Sequence, residues 1–230
     1  MTFFNASEPL IRNKQEELDI QDLRGLLRID WRIGKFQLLS RLYTRIDQIF
    51  VLWGWISVVI FAVAQFFPIS WQLQAIIWSG LTVLGTVVMT ILAWFWVQVE
   101  QLRWVVYAWA VLMLTGIVLT DCGIFLGWGW ILVHLCQLWL GLSAVGYFLT
   151  GWGLHSRTFV LAGVIHCLGI LLLPYSQSLP FLYTGTIIAG TLLFLAEVQW
   201  DMRPPIDSEF LTAEELQFNC QQHQRRKAEN

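Results

Sequence analysis

Positive charge is missing from most of this chain. Between Arg45 and Arg103 there is no Lys or Arg, and between Arg103 and Arg203 only Arg157 interrupts the gap. Acids are as sparse: from Asp47 to Glu197 only Glu100 and Asp121 intervene. A soluble domain averages about 25% charged and roughly 45–50% apolar residues, whereas this one has 13% and 57%, with a mean hydropathy of +0.59. A water-soluble globule of 230 residues could not hide so much apolar surface, so that class is excluded.

Other absences narrow the chemistry. The four cysteines, Cys122, Cys136, Cys167 and Cys220, form no CxxC pair, which removes a zinc site and a disulfide framework. There is no GxSxG, HExxH, Walker or GxGxxG motif, so no enzyme is expected. Asp121-Cys122-Gly123 reads as a turn rather than a nucleophile site, because no histidine base is located beside the cysteine. The net charge of -2 says little, since fourteen bases and sixteen acids nearly cancel, but the interleaving of the N-terminal basic residues with Leu, Ile and Trp suits lipid headgroups and not a nucleic-acid platform. The segment from Met1 to Asp22 has no apolar core of a signal peptide, and Glu16, Glu17 and Asp19 contradict a transit peptide, so retention of the N-terminus on the inner side is the expectation.

What is present is six apolar runs: 49–67, 75–97, 104–120, 124–148, 159–173 and 181–200. A helix needs about 20 residues to cross the hydrocarbon, so the fourth run is long and the fifth short. Pro68, Pro174 and Pro180 fall between runs, where helix breakers belong. The segments 1–48, 98–103, 149–158 and 201–230 hold eight, one, one and four Lys or Arg, and 68–74, 121–123 and 174–180 hold none. Cytoplasmic loops retain positive charge. The expectation is an all-α polytopic bundle with six transmembrane helices over 49–200, both termini cytoplasmic, in the plasma membrane or an internal membrane such as the thylakoid. Of the fourteen tryptophans, most lie near run ends, where indoles favour the headgroup region.

Ahead of the bundle, 1–22 reads as a polar segment and 23–48 as a basic amphipathic helix lying on the inner leaflet. Leu39, Leu42, Tyr43, Ile46, Ile49 and Phe50 follow helical spacing, and Arg28, Arg32, Lys35, Arg41 and Arg45 are placed to meet anionic headgroups. Ile29, Trp31 and Ile33 alternate with Arg28, Asp30 and Arg32, a strand-like period that leaves that short piece open. The tail 201–230 is polar, with Thr212 and Glu215 spaced as a capping box for a surface helix.

Polar residues within the runs are the candidate sites. His134 and His166 are assigned similar depths on neighbouring antiparallel helices, His134 beside Gln137, Gly141 and Ala144, and His166 beside Ala162 and Gly169. Small neighbours leave room for a macrocycle, so the two imidazoles are candidate axial ligands of a haem or chlorophyll. At the inner boundary Glu100, Arg103 and Glu197 gather, and Glu197 is expected to pair with Arg103 or Arg157, since an unpaired carboxylate there is costly. Ser79, Thr82, Thr86 and Thr90, with Gly185/Ala189 and Thr186/Gly190, mark helix contacts. Three functions follow in rank order: a non-enzymatic scaffold or assembly factor bound to other membrane proteins, a small-solute transporter or channel with a polar cavity, and a redox or pigment protein using His134 and His166.

Overall fold

Thr44 begins the helical body. Its hydroxyl accepts from the Asp47 amide at 3.2 Å while the Asp47 carboxylate accepts from the Thr44 amide at 2.8 Å, a capping box that satisfies two end groups at once. The structure, a computed structural model, describes residues 4, 9–14, 17–33, 36–176 and 178–228, and of 30–33, 36–40 and 227–228 the backbone alone. In chain order the elements are β1 (Ile11–Arg12), α1 (Ile20–Leu23), β2 (Leu27–Ile33), β3 (Phe36–Tyr43), α2 (Arg45–Phe66), α3 (Trp71–Val99), α4 (Arg103–Phe125), α5 (Gly129–Val133), α6 (Leu135–Leu154), α7 (Arg157–Leu172), α8 (Pro180–Glu197), β4 (Gln199–Trp200) and α9 (Ala213–Ala228). A 3-10 turn over Leu173–Ser176 extends α7.

Among the described residues five helices are long and apolar enough to cross a membrane: α2, α3, α4, α7 with its 3-10 turn, and α8. No more than 39% of the apolar window of any of them is buried inside the protein, so most of that surface faces outward, which water would not tolerate. The fourth run differs from the expectation. Helix α4 continues to Phe125, the chain turns at Gly127 with φ +67, and α5 and α6 follow with a break at His134. The turn expected at Asp121 does not exist, because Ser79 donates to both oxygens of that carboxylate at 3.1 Å and so lets an acid sit inside α4. Helix α6 has sufficient length at 20 residues, but Gln137, Trp139, Tyr147, Trp152 and four glycines dilute its hydropathy.

The amphipathic helix over 23–48 is also corrected. Leu27–Ile33 and Phe36–Tyr43 pair as antiparallel strands, with Leu27 opposite Tyr43, Ile29 opposite Arg41 and Trp31 opposite Leu39, and an irregularity between Trp31 and Arg32. The period-two pattern around Ile29 and Trp31 prevailed over the helical spacing of Leu39, Leu42 and Tyr43, since β-branched and aromatic residues favour a pleated strand. A second two-stranded sheet pairs β1 with β4, joining the N-terminal segment to the end of α8.

Helices α2, α3, α4, α6 and α8 close a ring, with α7 packed outside against α6 and α8. Aromatic side chains seat on glycines of the neighbouring helix. A methyl built on Gly146 of α6 would stand 2.4 Å from the Trp109 ring of α4, and one on Gly116 of α4 would stand 2.6 Å from the Trp139 ring of α6. The two indoles therefore cross in opposite directions over one helix pair, each into a space that only glycine leaves. Their N–H groups donate to Thr150 Oγ1 at 2.9 Å and Thr120 Oγ1 at 3.2 Å, which fixes the ring orientation.

Candidate functional site

One end of the bundle, here called the base, gathers both terminal segments and most of the buried charge. Asp19 accepts from Arg226 through both oxygens at 3.0 and 3.1 Å, and Arg226 also donates to the Glu17 carbonyl at 2.6 Å. Asn219 of α9 accepts from the Ile20 amide at 2.8 Å and donates to Gln21 Oε1 at 2.9 Å. Gln21 in turn donates to Glu100 Oε1 at 2.9 Å. This chain of bonds ties α9, α1 and the end of α3 together in a buried environment, where satisfied polar networks hold a single geometry. Lys14 adds a bond to Asp47 at 2.8 Å and lies over the Tyr43 ring at 4.5 Å.

Asp201 forms the tightest knot. It accepts from Ser156 Oγ, Thr158 Oγ1, the amides of Arg157 and Thr158, and Arg157 Nε, at 2.7 to 3.0 Å. Burial alone would raise its carboxyl, yet the hydrogen bonds from Thr158 and Arg157 outweigh that and hold it below the ordinary carboxylate range. Because two of the donors are the first amides of α7, Asp201 caps that helix from across the chain, where a negative charge also suits the dipole.

Two acids at the base behave in the opposite way. Asp22, which accepts from Trp96 Nε1 at 2.9 Å, is pushed up to about 7 by burial first and by the neighbouring Asp19 second. Glu100 is pushed up to about 7 by burial, against the pull of Arg203. Arg203 stands 3.6 Å from Glu100 Oε2 and donates to the Glu100 carbonyl. The boundary cluster expected from sequence is therefore split. Glu100 is buried and meets Arg203, whereas Arg103 stacks over Phe210 at 5.1 Å. Glu197 pairs with neither Arg103 nor Arg157. It accepts from Tyr43 at 2.5 Å and faces Arg41 at 3.5 Å, because α8 ends beside β3. Burial and then the Glu197 contact raise the Tyr43 phenol to about 12.

The histidines are not brought together. His134 lies at the break before α6, its Nδ1 2.8 Å from the Trp130 carbonyl and its ring 4.8 Å from the Trp130 ring. His166 is fully enclosed, its Nδ1 2.8 Å from the Ala162 carbonyl and its ring 4.9 Å from Tyr147. Tyr147 is about 20 Å further along α6 than His134 at 1.5 Å per residue, so the two imidazoles occupy different depths. Starting the fourth span at Ile124 placed His134 too deep; the turn at 126–128 returns it to the mouth of the bundle. Nε2 of His166 and Oε1 of Gln137 are buried without a hydrogen-bond partner among the described residues.

The chain matches no known protein family, no curated protein and no solved structure. Its site must be read from its own geometry.

Inside the helix ring lies a cavity of about 170 Å³. Its walls reach from Ile46 to Ala64 along α2, roughly 27 Å at 1.5 Å per residue. Six tryptophans contribute, Trp53, Trp78, Trp96, Trp109, Trp139 and Trp200, and the remaining wall is mostly aliphatic. The hydroxyls of Ser57, Ser79, Thr82, Thr120, Ser143 and Thr150 are interspersed along it. The basic residues assigned to the membrane surface follow the hairpin instead of a helix. Arg28 and Arg41 are exposed on β2 and β3 and Arg45 opens α2, Arg32 is described in backbone only, and Lys35 lies outside the described residues.

Sequence reasoning missed Asp19, Asp201, Asn219 and Arg226. Their partners are remote in the chain, and the available local signal was Ser156 and Thr158 opening α7 opposite an acid that follows the last apolar run.

Proposed function

We propose that this chain is a multi-pass membrane scaffold, a non-enzymatic protein that assembles or stabilises a larger membrane complex through its base. Six crossings, with α5 and α6 together as the fourth, put both termini and the base in the cytoplasm, because the far-end segments 67–70, 126–128 and 173–179 carry no Lys or Arg. The membrane is the plasma membrane or an internal one, and exposed Arg28 and half-buried Arg45 meet anionic headgroups. The supporting observation is the β2–β3 hairpin, a sheet of only two strands whose outer edges are unpaired among the described residues. A lone hairpin is marginal in water, and an open edge is a template on which another chain can add a strand. A base locked by buried ion pairs holds that edge in a fixed place, which a docking protein needs.

The test is purification of the full chain from its native membrane in mild detergent. A partner should co-purify in stoichiometric amount, and an Arg28→Glu/Arg41→Glu double variant should lose it while keeping its thermal stability. A wild-type chain recovered without a stoichiometric partner, or a double variant that retains one unchanged, would refute the scaffold.

A further inference from the structure

Three hydroxyls inside the helix ring bond nothing in the protein. Ser57 of α2, Thr82 of α3 and Ser143 of α6 line the lumen at 7%, 2% and 6% exposure. Elsewhere in the bundle Thr86 and Thr90 donate to carbonyls of their own helix, Thr120 and Thr150 accept from indoles, and Ser79 donates to Asp121. Ser57, Thr82 and Ser143 make no side-chain hydrogen bond among the described residues. Unlike Thr184 Oγ1, which is sealed in the packing, their oxygens keep accessible surface, and in buried residues of the wall that surface faces the lumen. Native structures rarely leave such groups unsatisfied.

These hydroxyls are spread along the axis. Ser57 and Thr82 share one level, because Gly85, nearly a turn from Thr82, meets the Trp53 and Ile56 side chains. Ser143 lies closer to the base, roughly 10 Å from Thr150 along α6 at 1.5 Å per residue. The lumen is also narrow. Its volume of about 170 Å³ admits roughly 11–17 waters at about 10–15 Å³ each, and a single file along roughly 27 Å of wall takes about ten at a spacing of ~2.8 Å. Among the described residues no Lys or Arg lines it, so it lacks the cationic barrier by which a water pore excludes protons. A carboxylate stands near each mouth. Asp121 holds Ser79 at the far end, and at the base Asp22 holds the indole of Trp96, which lines both the lumen and the base pocket.

We infer that the lumen holds a single file of water bonded to Ser57, Thr82 and Ser143, and that this file carries protons between the Asp121 and Asp22 mouths. A hydroxyl donates and accepts at once, as water does, and a dry one would keep its full desolvation cost. Each member of the file takes a proton on one side and releases one on the other, so one proton crosses and the file is left as it began. This activity is separate from partner docking at the base.

The full chain is reconstituted in liposomes that enclose a pH-reporting dye, and a potassium gradient with valinomycin sets an inside-negative potential. Acidification of the interior in proportion to the amount of protein is expected, above protein-free liposomes as the blank, with entrapped glucose retained. Thr82→Val keeps the side-chain shape and removes the hydroxyl; combined with Ser143→Ala it should slow the flux about fivefold or more, the size of at least one net hydrogen bond. Ser57→Ala with Ser143→Ala serves if that variant does not fold. Flux no faster than the blank, glucose released along with the protons, or a double variant that conducts like the parent would each overturn the assignment.

Discussion

Two helices of this bundle are capped by a side chain from elsewhere in the chain, one at each end, and the two caps use different chemistry. At the base Asp201 takes the first amides of α7 and adds Ser156, Thr158 and the Arg157 guanidinium. At the far end Gln65 Oε1 takes the amides of Phe181 and Leu182 at 3.2 and 3.3 Å, with no charge involved. Both solve the same problem, the unsatisfied N–H groups that open every helix. An ionised cap gains more from a helix dipole but must itself be neutralised and hydrogen-bonded. The base can do this because Arg157 is there, and the far end cannot because it has no cation nearby in sequence. The distribution of Lys and Arg thus selects which capping chemistry each end can use.

Three measurements break or sharpen that contrast. The largest effect is expected from Asp201→Ala, which takes the acceptor from the buried Ser156 and Thr158 hydroxyls and the Thr158 amide; it should destabilise the protein by about 3–5 kcal/mol, read as a lowered Tm in detergent. Asp201→Asn should fall between it and the parent, since an acceptor survives but the ion pair does not. Equal loss in both variants would show that charge contributes nothing to the cap.

The next effect is the pH response of the base. Asp22 and Glu100 are both raised to about 7 from ordinary values near 4. A carboxyl raised on folding contributes stability that is full below its unfolded value and is lost as pH climbs to its folded value. Tm should therefore fall between about pH 4 and pH 7, and Asp22→Asn, which removes a charge facing Asp19, Glu100 and Asp47, should flatten that slope. A slope unchanged in the variant would assign the response to other groups. The smallest effect is Gln65→Ala, a neutral cap whose loss is worth about 1 kcal/mol and hence roughly 2–4 °C in a chain of this size; a drop as large as that of Asp201→Ala would erase the distinction between the ends.

The apolar runs, the charge sorting and the Thr212–Glu215 capping box, which forms at 2.8 and 3.2 Å, could be read directly, because each is a local or compositional signal. The hairpin was harder. Leu39, Leu42 and Tyr43 imitate a helical stripe, and only Thr44 with Asp47 three residues later marks where the helix truly begins. Depth failed for His134 because an acid at Asp121 looks like a loop until Ser79, far away in sequence, is seen to satisfy it. The base network was illegible for the same reason: nothing near Asp19 announces Arg226, and nothing near Gln21 announces Asn219.

The bond between the Ile20 amide and Asn219 spans 199 residues. At a synthesis rate of about 5–20 residues per second, Ile20 waits roughly 10–40 s on the ribosome before its partner exists. For most of that interval the early segment has neither α9 nor β4 to lean on, and closing so long a loop is entropically slow work. The bundle helices are thus made first and the clasp shuts last, so that a chain cut short before Trp200 would carry the bundle with an open underside.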